Sequence, residues 1–165
     1  MATQVISEEQ LDASWPIMRS KNLTARNDGS LRTEIDFGEF GMIVTDEPTG
    51  HGGSGRGPSP LQTVVGALCG CESVTFSRTA REMGFRYSGI EYEAMFSIDI
   101  RGRRGDRSVR PHFQSVRVQA AVRTSESEER LRAVVEETEA RCPVFNLLND
   151  ANVSIEMLWV RRAPK

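Results

Sequence analysis

Ser59-Pro60-Leu61-Gln62-Thr63-Val64-Val65-Gly66-Ala67-Leu68-Cys69-Gly70-Cys71 is the stretch whose reading decides the architecture. It opens with a serine that can cap a helix and a proline suited to the first helical position, where no N–H is needed. No charge appears from Leu61 to Cys71. A helix apolar on every side belongs at the centre of a structure or in an interface. The pattern predicts a helix from Pro60 to about Met83, with Gly84 as its stop. Residues two apart on a helix point roughly 200° from one another, so Cys69 and Cys71 neither bridge nor jointly grip a metal. Cys71 falls on the face of Leu61, Val64 and Leu68, and Cys69 nearer Gln62, Val65 and Phe76.

Upstream, Thr49 to Pro58 is a glycine-rich loop that joins two ordered parts. Before it, Leu23 to Arg26 and Leu31 to Phe37 flank Asn27-Asp28-Gly29, a hairpin signal, and a third strand is expected at about Phe40 to Thr45. Ser7-Glu8-Glu9-Gln10 is a capping-box pattern for a short N-terminal helix that Pro16 ends. Downstream, Ile90, Tyr92, Ala94, Phe96, Ile98 and Ile100 alternate with polar residues on one face of a long strand. Val116, Val118, Ala120 and Val122 alternate in a second strand, and the two form a hairpin around a basic tip, Arg101 to Arg110. Ser125 with Glu128 reads as a capping box for a second helix carrying Leu131, Val134, Val135, Thr138 and Cys142 on its core stripe. Pro143 breaks or kinks that helix, and Val153, Ile155, Met157 and Trp159 alternate in a closing strand. The order β-β-β-α-β-β-α-β, with runs of strands between single helices, indicates an α+β fold with antiparallel sheet. Two segments follow: an extension with a short helix over 1–20, and one domain over 21–165.

A 38% hydrophobic and 27% charged composition supports a packed core, and a net charge of −2 offers no reason to invoke nucleic acid or an anionic membrane. The arginines of the basic tip lack interleaved aromatics, so they read as a solvated tip. No apolar run reaches the ~18 residues of a membrane span, and the N-terminus does not read as a secretory signal. A cytoplasmic protein is expected, in which three cysteines are buried thiols, metal ligands or redox groups. Neither His51 nor His112 has a spaced acidic or cysteine partner, so no metal site and no cofactor is expected. The glycine loop lacks the Lys-Ser/Thr ending of a P-loop, although a loop before a helix N-terminus can hold an anion with help from Arg56. A helical turn starting at Pro143 would place a positive dipole end beside Cys142 and favour thiolate there. Two readings of the cysteines stay open on spacing alone: a redox or nucleophilic pair drawn from two helices, or small buried hydrophobes.

Asp46-Glu47-Pro48, Gly52-Gly53, Gly57-Pro58-Ser59-Pro60-Leu61, Ala67-Leu68, Cys71 and the later Cys142-Pro143-Val144 resemble the pattern of the OsmC/Ohr family. The resemblance runs from about Leu23 to Trp159. It implies an intertwined homodimer with sheets wrapped around central helices, and a thiol peroxidase acting on organic hydroperoxides in oxidative-stress defence. By that resemblance Cys71 is the attacking thiolate and Cys142 the resolving thiol. Sulfenic acid on Cys71 condenses with Cys142 to a disulfide, and an outside dithiol restores both. Arg26, in the first hairpin, matches the arginine that the family sets against thiolate and peroxide. Gln62 and Leu68 are expected to line the substrate pocket. The family's arginine-holding glutamate is missing: Leu61 and Gln62 stand where it would be, and Glu72 points ~100° from Cys71 along the helix. That departure supports a second reading, a non-peroxidatic module that binds a small apolar or thiol ligand at the dimer interface.

Overall fold

The structure is a computed structural model and describes residues 18–164. The expected helix at Ser7–Gln10 lies outside those residues. The chain divides into two compact units at Gly57/Pro58, within the stretch read from sequence as one domain and at the end of the glycine loop.

The first unit holds a three-stranded antiparallel sheet of β1 (Thr24–Asn27), β2 (Thr33–Asp36) and β3 (Met42–Thr45), in that order. Asn27-Asp28-Gly29 turns the chain as expected: the Asn27 side chain accepts from the Gly29 amide at 2.8 Å and donates to the carbonyls of Ser30 and Arg32. The glycine loop folds around its own anion. Asp46, fully buried, accepts from the amides of Glu47, Ser54 and Arg56 and from the Ser54 hydroxyl at 2.6 Å. Led by that hydroxyl, these donors hold the Asp46 carboxyl well below the usual carboxylate range. The loop amides that invited an external anion are therefore occupied from within the chain. Gly53 and Gly57 are required by close approach, since a Cβ would stand 1.8 Å from the Glu47 carbonyl oxygen at the first and 2.2 Å from that of Val44 at the second.

The second unit is built on α1 (Pro60–Glu82), laid against a sheet of β4 (Gly89–Ile98), β5 (Phe113–Arg123) and β6 (Ser154–Arg162) and against α2 (Glu128–Arg141) and α3 (Pro143–Asp150). Ser59 caps α1 and Gln62 completes the box: the Gln62 amide donates to Ser59 Oγ, and its Oε1 accepts from the Ser59 amide at 2.9 Å. The other end closes with Gly84 at φ 63°, and Arg130 donates to the carbonyls of Met83 and Gly84. Val65, Leu68, Glu72, Phe76 and Thr79 are the buried stripe of α1, spaced three and four apart.

β4 and β5 form the expected long antiparallel hairpin. Its end differs from the expectation: Ile100 is half exposed and begins a single helical turn, Ile100–Arg103, capped by the Asp99 side chain. β6 pairs with β5 in parallel, so the antiparallel sheet carries one parallel pair. Parallel neighbours need a long crossover, and α2 with α3 provides it. α2 is capped by Ser127, not Ser125, through the Arg130 amide. Two apolar clusters fill the unit. One gathers Val65, Leu68, Phe113, Val116, Val118, Leu148 and Val153. The other gathers Phe76, Ala80, Phe85, Val122, Leu131 and Val134.

Candidate active site

Proline fixes the place of Cys142. Pro143 has no N–H, so α2 cannot continue through it, and Cys142 becomes both the last cap of α2 and the first cap of α3. The Asn146 side chain repairs the break by donating to the carbonyls of Glu139 and Cys142, both at 2.9 Å. The Cys142 amide still bonds to the Thr138 carbonyl, and the Asn146 amide to the Cys142 carbonyl. The Cys142 backbone is thus held from both sides, and the residue is 0% exposed.

Two side chains of α1 lie near enough to act on it, the Cys71 thiol and the Glu72 carboxyl. Cys71 is half-buried, and all three cysteines are free thiols. Burial pushes the Cys142 thiol well above its ordinary pKa, and the neighbouring Glu72 and Cys71 side chains push it further. The Phe145 amide at the start of α3 opposes this. The expected thiolate at this helix start is therefore corrected: the Phe145 amide acts in the foreseen direction, but desolvation outweighs it.

Glu72 was not foreseen as a core residue. It is 0% exposed, one turn from Leu68 and one from Phe76, at the step between the two apolar clusters. Neither carboxyl oxygen has a full hydrogen bond. The Cys142 thiol lies close enough to influence its charge yet falls short of that geometry. Burial raises the carboxyl's pKa, the Cys142 thiol draws it partly back, and Glu139 raises it again. Glu139 is itself raised, mainly by burial, while the Trp159 indole N–H donates to it at 2.8 Å. Tyr92, on β4, is pushed up to about 12, first by burial and then by the charges of Glu72, Cys69 and Tyr87, with the Ser73 hydroxyl opposing.

A raised carboxyl has a consequence for stability. The unfolded carboxyl ionises near 4.5 while the folded one keeps its proton to higher pH, so the charge of Glu72 adds no cost below that value. Its penalty grows as pH rises through the folded pKa. Glu72→Gln is expected to match wild type in urea unfolding at acid pH and to exceed it by about 1–3 kcal/mol near pH 8. Glu139 titrates in both proteins and largely drops out of the difference. Parallel stability curves across that range would refute an ionisable, solvent-excluded Glu72.

The model of the OsmC-like protein family matches residues 51–157 of this sequence. The chain belongs to that family. Among curated proteins none matches it significantly. Solved structures resemble it in fold. The OsmC-like protein of Mycoplasma pneumoniae superposes with a TM-score of 0.74 at 15% identity, covering 90% of this chain and 100% of that one. The organic hydroperoxide resistance protein OhrB of Bacillus subtilis gives 0.60 at 17% identity, covering 86% and 98%. An organic hydroperoxide resistance protein OsmC of Legionella pneumophila gives 0.63 at 14%, covering 88% and 99%.

The OsmC-like chain places its other candidate residues as follows. Leu68 is fully buried inside the first cluster, and Cys69 and Leu61 pack against that cluster from its edge. Burial raises the Cys69 thiol above its ordinary value. Gln62 is exposed and committed to the cap of α1. Arg26, in the first unit, is 83% exposed and pairs at 3.0 Å with Glu34 of the adjacent strand. Hydrogen bonds from Arg26 and Arg32 lower the Glu34 carboxyl. One amino group of Arg26 thus meets a carboxylate although Leu61 and Gln62 supply none. Among the described residues no group of His, Cys, Asp and Glu could hold a metal, and no helix is long and apolar enough to cross a membrane.

Proposed function

We propose that this OsmC-like protein is a cysteine-based, dithiol-dependent peroxidase for organic hydroperoxides. The carrying observation is the neighbouring pair of free thiols from two helices, half-buried Cys71 and fully buried Cys142. The organic hydroperoxide resistance proteins that share its fold support the substrate class. Cys71 attacks the peroxide O–O bond, becoming sulfenic acid as an alcohol departs, and Cys142 then closes the disulfide. Shielding of Cys142 suits the resolving role, since a thiol held protonated waits until Cys71 is oxidised. Arg26, paired with Glu34, is the candidate stabiliser of charge on thiolate and peroxide, and Gln62 and Leu68 the candidate boundary of the pocket. Free thiols throughout fit a reducing compartment, the cytoplasm.

One equivalent of an apolar hydroperoxide should lower the chain mass by about 2 Da, and peptide mapping should join Cys71 to Cys142. An unchanged mass refutes the peroxidase. Leu61 and Gln62 at the family's glutamate positions favour the second reading, a module binding a small apolar or thiol ligand, which that outcome would leave standing.

The working form is proposed to be a homodimer. The outer face of α1 carries Val64, Gly66, Ala67, Gly70 and Val74, all exposed and uncharged, and water is a poor neighbour for such a stripe. A second copy, presenting the same stripe, is the occupant whose chemistry matches it. Light scattering at micromolar concentration is expected to give twice the 18.4 kDa chain mass. A stable particle of the chain mass itself would refute it.

A further inference from the structure

α1 has an apolar core stripe with one ionisable member. Evolution of a packed core would place a leucine or methionine at position 72, because an unpartnered buried carboxyl is costly. Among the described residues no basic group is seen to act on the carboxyl: the titratable side chains coupled to it are Cys142, the cap of α2, Glu139 from α2, Tyr92 from β4, and Cys69 on its own helix. None of these is a cation. Its oxygens are excluded from solvent and have no hydrogen-bond partner, and the side chain whose influence they feel is Cys142, the fully buried thiol of the pair.

That thiol poses a chemical problem. To attack Cys71 it must lose a proton, and it is buried away from bulk solvent. We propose that Glu72 is a catalytic residue for the closure step: its carboxylate takes the proton from Cys142 and returns it to the group that leaves Cys71. The inference rests on the Cys71/Cys142 reading given above. In the step, the S–H bond of Cys142 breaks and the proton passes to Glu72. The sulfur electron pair forms the S–S bond with Cys71. The S–O bond of the Cys71 sulfenic acid breaks, and the departing hydroxide takes the proton from Glu72 as water. The earlier two-electron oxidation of Cys71 comes from the organic hydroperoxide, so closure itself needs no further oxidant. The raised carboxyl suits the task, because a base is most effective when its pKa lies near the working pH.

Closure can be followed without peroxide, which separates this inference from the peroxidase reading. In the full-length chain with Cys69→Ala, the aryl disulfide 5,5′-dithiobis(2-nitrobenzoate) labels Cys71 and releases one coloured thiolate. Attack by Cys142 then releases a second, and its rate reports closure. With Glu72 as internal base, that rate should level off above the carboxyl's pKa and stay level to about pH 9. Glu72→Gln should close at least about tenfold more slowly near neutrality, and its rate should climb about tenfold per pH unit, as expected when solvent must take the proton. The wild-type profile decides the matter independently of the variant. A wild-type rate that climbs about tenfold per unit through neutrality, a glutamine variant within about twofold of wild type, or no second release at any pH overturns the proposal. If closure behaves as expected while hydroperoxide leaves Cys71 unoxidised, only the peroxidase reading falls. With both in hand, hydroperoxide-treated Glu72→Gln should accumulate Cys71 sulfenic acid, trapped by dimedone, where wild type passes on to disulfide.

Discussion

Cys71→Ser is expected to reduce dithiol-dependent consumption of an organic hydroperoxide by about three orders of magnitude or more, to the level of buffer alone. A serine hydroxyl is far less acidic than a thiol, and an oxygen nucleophile cannot carry the sulfenic and disulfide states that the cycle needs. Cys142→Ser should behave differently. Cys71 is still oxidised once, so one equivalent of peroxide is consumed, and the protein stops at the sulfenic acid unless an outside thiol rescues it. Cys69→Ser should leave turnover unchanged, because that thiol packs at the edge of an apolar cluster. Stopped assays with the three variants side by side separate the roles. Equal losses at Cys69 and Cys71, or full turnover without Cys71, would remove the basis of the assignment.

Phe76→Ala is expected to cost about 3–5 kcal/mol of folding stability. The ring is 0% exposed. It stacks on Trp159 with centroids 5.3 Å apart and meets Tyr87 at 5.0 Å and Phe85 at 5.9 Å edge to face. Those partners come from β6 and from the chain between α1 and β4, so one ring ties the central helix to the last strand. Domains of this size are stable by about 5–15 kcal/mol, which makes the loss a large share of the total. The urea midpoint should fall accordingly. A change under about 1 kcal/mol would mean that the neighbouring rings close the gap without penalty.

Local chemistry made most of the fold legible. Pro60, the uncharged run and Gly84 bound α1 within a residue of where it lies, and Asn27-Asp28-Gly29 marked the first hairpin. Choices between near-equivalent signals were harder. Ser125 and Ser127 both precede a glutamate-rich helix start, and only the fold shows that Ser127 caps it while Thr124, fully buried, bonds to the Arg86 carbonyl. Alternation carried β4 through Ile100, but Asp99 caps a helical turn there, and a side-chain cap overrides a period of two. Parallel pairing of β6 leaves no trace in its own residues, because it depends on where α2 and α3 deliver the strand. At the site, Cys142 before Pro143 was legible. Glu72 was hidden by being judged against Cys71 alone. Its place in the series Val65, Leu68, Glu72, Phe76, Thr79 is a sequence signal, a lone acid on an apolar stripe, that points to a buried charge.

Parallel pairing of β6 also sets the order of events on the ribosome. β5 is the middle strand of its sheet, and one of its edges finds a partner only in residues 154–162, synthesised after the whole α2–α3 crossover. Until then the nascent chain presents Val116, Val118, Ala120 and Val122 beside an open row of amides and carbonyls, and Phe76 has no Trp159 to stack on. A chain halted before Trp159 is accordingly a candidate for chaperone capture or strand-to-strand aggregation, whereas completing the final nine-residue strand closes the edge and the aromatic stack together.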